Sequence, residues 1–153
     1  MITELTRMWL TRSTKPFLFK KEYDQELPFS DCDGLGLYVH IPFCRSICSF
    51  CPYCKTLYSE EACSRYIDAL IREIHLAGSQ IPGKKIVTSL YFGGGTPALA
   101  ADRIKEIIDA IQEHFIITQG IGIELHPENI TPRTLHILKE AGITKLSIGI
   151  QSF

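Results

Sequence analysis

The chain has 153 residues, a formal net charge of -1 and a pI near 6.5, with 45% hydrophobic and 22% charged residues. A globular chain of this length buries about 70% of its unfolded surface, so it does not need disulfides to stabilise its core. The balanced charge excludes general attraction to nucleic acid, and no stretch approaches the roughly 20 apolar residues of a membrane span. We therefore expect a cytoplasmic protein with no nucleic-acid partner, in which clustered cysteines more often bind metal than form disulfides.

Residues 1–36 show no clean periodicity and are predicted to form a loosely structured N-terminal arm. From Leu37 onward the chain alternates between strand and helix patterns. The predicted strands are short, rich in Val, Ile, Leu and Tyr, and bounded by Gly or Pro. They cover residues 37–41, 86–92, 121–126 and 145–151.

Three helices are predicted between these strands. Ser59 is the expected N-cap of the first, which ends at Gly78, and Thr96 and Thr131 each precede a proline at the start of the second and third. The third helix ends at Ala141-Gly142. The predicted apolar faces comprise Tyr66, Ile67, Leu70, Ile71 and Ile74 in the first helix, Ile104, Ile107, Ile108, Ile111 and Phe115 in the second, and Leu135 and Leu138 in the third.

Strands that alternate with helices indicate an α/β fold with parallel strand pairing. Four strand-helix units are half of an eight-unit barrel, which takes about 250 residues. We therefore expect residues 37–153 to form the N-terminal half of such a barrel, with about four parallel strands and the helices outside. The last strand would be an exposed edge that more chain or a partner covers.

Four of the six cysteines lie in the stretch LYVHIPFCRSICSFCPYCK, residues 37–55. Cys44, Cys48 and Cys51 are spaced C-x3-C-x2-C, and Cys54 follows two residues later. A structural zinc site usually needs a second separated C-x2-C pair, which the sequence lacks, and a bacterial ferredoxin run would place its fourth ligand at Tyr58. The third alternative is a 4Fe-4S cluster with three thiolate ligands and one open iron.

This cysteine loop resembles that of the radical S-adenosylmethionine (SAM) enzymes, whose first strand leads into C-x3-C-x2-C. YFGGGTP, residues 91–97, resembles the glycine motif with which this superfamily holds the amino group of SAM, although three glycines can also simply form a tight turn. YVHIPFC at 38–44, GIELHPENIT at 122–131 and LSIGIQSF at 146–153 are similar to motifs of the oxygen-independent coproporphyrinogen III oxidase and heme chaperone branch. The resemblance extends from Leu37 to Phe153.

The resemblance implies a partial radical SAM barrel with a 4Fe-4S cluster on Cys44, Cys48 and Cys51. It also implies that His40 is catalytic and that SAM contacts Tyr38, Gly94, Gly95, Thr96, Glu124 and Gln151. Each of these residues has a structural alternative. Strand alternation can place Glu124 in solvent, Gln151 can be a strand-end amide, and His40 can be a hydrogen-bonded strand histidine.

In this family, a reduced cluster cleaves SAM to methionine and a 5'-deoxyadenosyl radical, and in the oxidase this radical starts the decarboxylation of propionate side chains. The resemblance therefore implies a tetrapyrrole or heme as substrate and an electron donor such as flavodoxin or ferredoxin. Tyr53 stands where the oxidase has a further cysteine, which favours a relative of the oxidase. A heme chaperone without turnover and an anaerobic heme-degrading methyltransferase remain alternatives.

The remaining histidines and cysteines are given no role in this prediction. His75, His114 and His136 lie on predicted helices and are expected at the surface, whereas Cys32 and Cys63 lie outside the motif. In the family, further SAM and substrate residues lie beyond the end of the matched region. The 153-residue chain alone is therefore expected not to turn over.

Overall fold

The computed structural model describes residues 32–150, which form parallel strands and helices in alternation. The elements are β1 (Gly34–Ile41), β2 (Phe43–Cys44), β3 (Thr56–Leu57), α1 (Glu60–Ser79), β4 (Lys85–Gly94), α2 (Ala101–His114), β5 (Phe115–Ile117), β6 (Ile121–Leu125), α3 (Pro132–Glu140) and β7 (Ile143–Ile148). Short 3-10 turns, Pro97–Ala100 and Pro127–Asn129, precede α2 and α3. Residues 1–31 of the predicted arm lie outside the described residues. Residues 34–36, the last three of the predicted arm, belong to β1.

The main sheet has the strand order β1-β4-β6-β7, and every pair in it is parallel. The short strand β5 pairs with the first residues of β4 and was not predicted. In the described part of the chain the sheet is open, with β1 at one edge and β7 at the other. The predicted α/β class with about four main parallel strands is confirmed.

The hydrophobic core lies between one face of the sheet and the helices. Val39 and Ile41 of β1, Phe92 of β4 and Ile123 of β6 point into it, and all four are buried. Full burial of each such side chain contributes roughly 1.5 to 3 kcal/mol. Because strand side chains alternate, Tyr38 lies on the opposite face of β1, which forms the inner surface of the open sheet.

Two of the three predicted helix starts are confirmed by side-chain capping. Ser59 Oγ accepts a hydrogen bond from the Ala62 backbone N–H at 3.2 Å, and Thr131 Oγ1 accepts one from the Thr134 N–H at 3.1 Å. The first helix continues past the predicted stop at Gly78 to Ser79.

The predicted start of the second helix at Thr96 is wrong. Thr96 makes no side-chain capping bond, and its own N–H donates to the Phe43 carbonyl at 2.7 Å. The chain then passes through a 3-10 turn, and α2 begins only at Ala101. Phe115 was predicted on the face of this helix, but its extended backbone ends the helix and begins β5, although its ring is buried.

The last strand begins and ends earlier than predicted. The predicted strand covers residues 145–151, whereas β7 spans Ile143–Ile148, and Gln151 lies outside the described residues. Within residues 32–150, no helix has both the length and the apolar character that crossing a membrane requires.

Candidate cluster and cofactor site

The cysteine loop is closed at its base by a small parallel pair of strands. Phe43 pairs with Thr56, and Cys44 pairs with Leu57. The Tyr58 backbone N–H donates to the Cys44 carbonyl at 2.8 Å and continues this pairing. Residues 45–55 therefore form a loop whose two ends lie next to each other, beside the C-terminal end of β1.

The four loop cysteines differ in exposure. Cys44 and Cys51 are partly buried, whereas Cys48 and Cys54 are exposed. A zinc ion bound at 2.3 Å to each sulfur would hold its ligand sulfurs about 3.8 Å apart. Among residues 32–150, no three cysteine sulfurs lie within 4.8 Å of one another. The loop cysteines therefore do not present three sulfurs at the spacing of a single-ion site.

The pKa values of two loop thiols are shifted in opposite directions. The pKa of Cys51 lies below its usual value because the Tyr53 backbone N–H donates to it, with a further contribution from the Lys55 ammonium group. The pKa of Cys44 lies above its usual value because of burial, which a hydrogen bond from Thr96 partly offsets. Cys51 therefore deprotonates more readily than Cys44. The thiolate is the form of cysteine that binds metal.

The glycine turn after β4 packs directly on the entrance to the cysteine loop. The Gly95 N–H donates to the Ile41 carbonyl at 2.9 Å, beside the Thr96 bond to Phe43. A Cβ atom on Gly95 would lie 2.5 Å from the Phe43 carbonyl oxygen and 2.8 Å from the Cys44 sulfur. Only glycine allows the turn to approach Cys44 this closely.

Gly94 links this turn to Glu124 at the end of β6. Its φ of 122° lies in a region that residues with a Cβ rarely adopt. Its N–H donates to Glu124 Oε2 at 3.2 Å, and the glutamate side chain is half-buried rather than fully exposed. Both residues lie at the carboxyl ends of parallel strands, where α/β proteins bind ligands.

A cavity of about 380 Å³ lies between the cysteine loop and the carboxyl ends of β4 and β6. This volume is in the range of small-molecule sites. It is lined by the predicted residues Cys44, Cys48, Cys51, Gly94, Gly95, Thr96 and Glu124. The structure thus brings together residues that are 80 positions apart in the sequence.

Residues 38–153 match the sequence model of the Radical SAM superfamily. The chain belongs to the radical SAM superfamily.

Relatives place this radical SAM chain in the branch that its motifs indicate. It is 40% identical to anaerobilin synthase of Escherichia coli O157:H7, with 76% of this chain and 27% of the relative covered. It is 34% identical to the oxygen-independent coproporphyrinogen III oxidase of Pseudomonas aeruginosa, with 78% and 27% covered. It is 32% identical to a heme chaperone of Bacillus subtilis, with 76% and 31% covered.

The fold is also that of this branch. The structure of a coproporphyrinogen III oxidase from Escherichia coli, described as a radical SAM enzyme, matches with a TM-score of 0.72 and 34% identity. The match covers 79% of this chain and 29% of the oxidase. The predicted partial radical SAM barrel is therefore confirmed, and the chain spans less than a third of these relatives.

Tyr38 and His40 lie on the inner face of the radical SAM sheet but do not line the cavity. His40 Nε2 lies 3.0 Å from the Cys54 carbonyl oxygen, and its Nδ1 lies 3.3 Å from the Tyr38 hydroxyl. A carbonyl only accepts hydrogen bonds, so Nε2 donates and Nδ1 accepts from Tyr38. The pKa of Tyr38 is raised by burial and by the nearby Glu124 carboxylate. His40 thus connects β1 to the end of the cysteine loop.

Several residues at this site were not predicted. Lys55 lines the cavity and donates to the Cys51 carbonyl, and Ser147 and Asn129 also line it. The position of Lys55 directly after the last loop cysteine could have indicated a role. The contribution of Asn129 could not be read from the sequence, because it depends on how the turn after β6 folds back.

The remaining histidines and cysteines agree only in part with the prediction. His136 and Cys32 are exposed, and Cys63 is buried in the core. His75 and His114 are not simple surface residues, because both are partly buried and hydrogen-bonded to each other at 3.0 Å.

Proposed function

We propose that Cys44, Cys48 and Cys51 hold a 4Fe-4S cluster and that SAM binds in the adjoining cavity. The observation that carries this proposal is the convergence of the three cysteines, the glycine turn and Glu124 on one cavity. Cys54 is not among the residues that line this cavity, and its carbonyl accepts a hydrogen bond from His40 Nε2. Three ligands would leave one iron open for SAM, as an open position distinguishes catalytic from structural metal sites.

A reduced cluster of this kind supplies the electron for reductive cleavage of SAM. The chain itself provides binding, orientation and electrostatics. Lys55 places a positive charge near the Cys44 and Cys51 sulfurs and favours the thiolate form that the cluster needs. Gly95 lets the turn contact Cys44, so the SAM site and the cluster site are built on the same backbone contact.

Glu124 is the residue that we assign to the amino group of SAM. A buried charged group without hydrogen bonds costs more than the roughly 1 to 3 kcal/mol of a neutral one. The Glu124 carboxylate already accepts from Gly94 with one oxygen and retains capacity for an ammonium donor. Glu128 also lines the cavity, so its negative charge favours the cationic sulfonium ligand. Gln151 remains a predicted contact.

We assign His40 a positioning role, in place of the catalytic role first expected. Both ring nitrogens are hydrogen-bonded to protein groups, namely Tyr38 and the Cys54 carbonyl. Its own carbonyl accepts from the Tyr66 hydroxyl at 2.6 Å. A histidine that is hydrogen-bonded at both ring nitrogens is suited to fixing the cysteine loop against β1 rather than to carrying protons.

The reaction that we propose is oxidative decarboxylation of propionate side chains on a tetrapyrrole, with electrons from a flavodoxin or ferredoxin. Relatives named as coproporphyrinogen III oxidases support this proposal. The chain spans 27% to 31% of its relatives, so the rest of the pocket would come from outside it.

Two alternatives keep specific support. The relative named anaerobilin synthase favours a heme-degrading methyltransferase, and the relative named a heme chaperone favours a heme carrier without turnover. Tyr53 stands where the oxidase has a further cysteine, and this favours a relative of the oxidase. A carrier would bind heme without substrate-dependent loss of SAM.

The test is anaerobic reconstitution of the full gene product, followed by SAM cleavage assays with coproporphyrinogen III and with heme. Decarboxylation of coproporphyrinogen III supports the oxidase reaction, and ring modification of heme supports the methyltransferase. Stoichiometric heme binding without SAM cleavage would support the carrier.

A matched pair of variants tests the site separately from the substrate. Gly94→Val should abolish the SAM-induced change in the EPR signal of the reduced cluster while iron content remains. Gly36→Val is the control, because nothing lies within 4 Å of a Cβ at that position. A normal SAM response in Gly94→Val would remove the glycine turn from the site.

A further inference from the structure

A second group of metal-binding side chains lies at the opposite end of the sheet from the cysteine loop. His75 is on α1, and Glu113 and His114 are the last two residues of α2. His75 Nδ1 lies 3.0 Å from His114 Nε2 and 3.7 Å from Glu113 Oε2. One potential ligand atom from each residue thus lies within 4.8 Å of the other two.

The packing between the two helices holds this group in place. Gly78 lies one turn after His75, and a Cβ there would approach His114 Cγ to 2.2 Å. The glycine therefore lets the His114 ring lie against the backbone of α1. The two imidazole rings meet edge to face, with centroids 5.3 Å apart. Their nitrogens are in position before any ligand binds.

Electrostatics at this end of the fold favour a cation. Each helix follows a parallel strand, so α1 and α2 run in the same direction and their C-terminal ends lie together. Helix C-terminal ends carry partial negative charge. Lys84 already donates to the Gln112 carbonyl of the same turn at 2.8 Å. The Glu113 carboxylate adds a full negative charge beside the two imidazoles.

We propose that His75, Glu113 and His114 bind one Zn²⁺ ion that links the C-terminal ends of α1 and α2. Two imidazole nitrogens bound to zinc at about 2.0 to 2.1 Å lie about 3.3 Å apart in tetrahedral geometry, so the 3.0 Å separation needs only a small adjustment. The carboxylate reaches the ion by a similar movement, and water completes the coordination. His75 then carries its hydrogen on Nε2, and His114 carries its hydrogen on Nδ1.

This site is separate from the proposed function. It lies at the amino ends of the strands, whereas the cysteines lie at the carboxyl ends, so it holds no ligand of the cluster or of SAM. Its role is to fasten the first two helices of the sheet. A bound ion stabilises the folded chain because the ligands come together only after folding.

The test is a Zn²⁺ titration of a full chain in which competing thiols outside the core are removed by substituting Cys32, Cys44, Cys48, Cys51 and Cys54 with Ala. Calorimetry should give one ion per chain with a micromolar Kd, and Tm should rise with Zn²⁺. Absence of saturable micromolar binding would overturn the proposal.

Ligand variants in the same background locate the ion. Removing an outer-shell partner of a metal site weakens binding about 10- to 100-fold, and His75→Gln and Glu113→Gln remove direct ligands, so we expect at least that loss. His136→Gln is the control, because that histidine is exposed on α3 outside the group. Equal Zn²⁺ affinity in His75→Gln and the background would overturn the assignment.

A spectroscopic measurement keeps the proposal testable if the cysteine-free background fails to fold. Co²⁺ added to the otherwise unmodified chain shows thiolate ligation as intense near-ultraviolet absorption, whereas nitrogen and oxygen ligation gives only weak visible bands. Because thiolate-bound Co²⁺ also absorbs in the visible, both chains are compared with their thiols alkylated: the visible bands should persist in the alkylated wild type and disappear in alkylated His75→Gln. Bands that are identical in His75→Gln would contradict the site.

Discussion

Gly95→Ala is expected to destabilise the chain and to impair cluster binding through one steric contact. The added Cβ would lie 2.5 Å from the Phe43 carbonyl oxygen, 2.8 Å from the Phe43 carbonyl carbon and 2.8 Å from the Cys44 sulfur. Two of these three atoms belong to the backbone of the strand that leads into the cysteine loop, so they cannot turn away. Overpacking of this kind costs about 1 to 3 kcal/mol.

The effect of Gly95→Ala on cluster binding follows from which atoms must move. Relief of the contact requires the glycine turn to separate from Cys44, and this separation displaces the first cluster ligand. The measurements are the free energy of unfolding in urea and the iron content after anaerobic reconstitution. Gly36→Ala is the matched control because a Cβ there meets no atom within 4 Å, and it should change stability by less than about 0.5 kcal/mol. Unchanged stability and full iron content in Gly95→Ala would refute the reasoning.

Three further predictions concern the loop and the helices. In the folded, cluster-free chain, the alkylation of Cys51 by iodoacetamide should have a pH midpoint below the ordinary thiol value of 9.0, and that of Cys44 a midpoint above it, because the thiolate is the reactive form. The two rates are followed by peptide mass spectrometry, and the reverse order of midpoints would contradict this prediction. His40→Phe should lose cluster iron to a chelator faster than wild type, whereas normal iron retention with lost turnover would point to a catalytic role instead. Thr131→Ala should lower the free energy of unfolding by about 1 kcal/mol through loss of an N-cap, and an unchanged urea midpoint would contradict that assignment.

The elements that could be predicted are those whose signals are local. Ser59 and Thr131 cap their helices as expected, because an N-cap depends only on residues within one turn. Thr96 has the same local sequence signal but fails, since its side chain hydrogen-bonds instead to Cys44, a residue 52 positions earlier. Tertiary contact therefore overrode the local preference at the one helix that begins beside the site.

The candidate site was also predictable only where its residues lie in short local motifs. The cysteine spacing and the glycine turn are short motifs, so Cys44, Cys48, Cys51 and the glycines that line the cavity could be named from the sequence. The double hydrogen bonding of His40 and the contact between His75 and His114 depend on distances between separate elements, which periodicity does not specify. The short strand β5 was missed because Phe115 continues the apolar spacing of α2.

The most direct test of the central claim is the requirement for each loop cysteine in binding a SAM-responsive cluster. Each of the four cysteines is replaced by Ala, the full chain is reconstituted anaerobically, and iron, sulfide and the EPR signal of the reduced protein are measured with and without SAM. The account predicts a 4Fe-4S signal that SAM alters, lost on replacing Cys44, Cys48 or Cys51 and retained on replacing Cys54. Equal loss on replacing Cys54, or a signal that SAM leaves unchanged, would contradict an open cluster site.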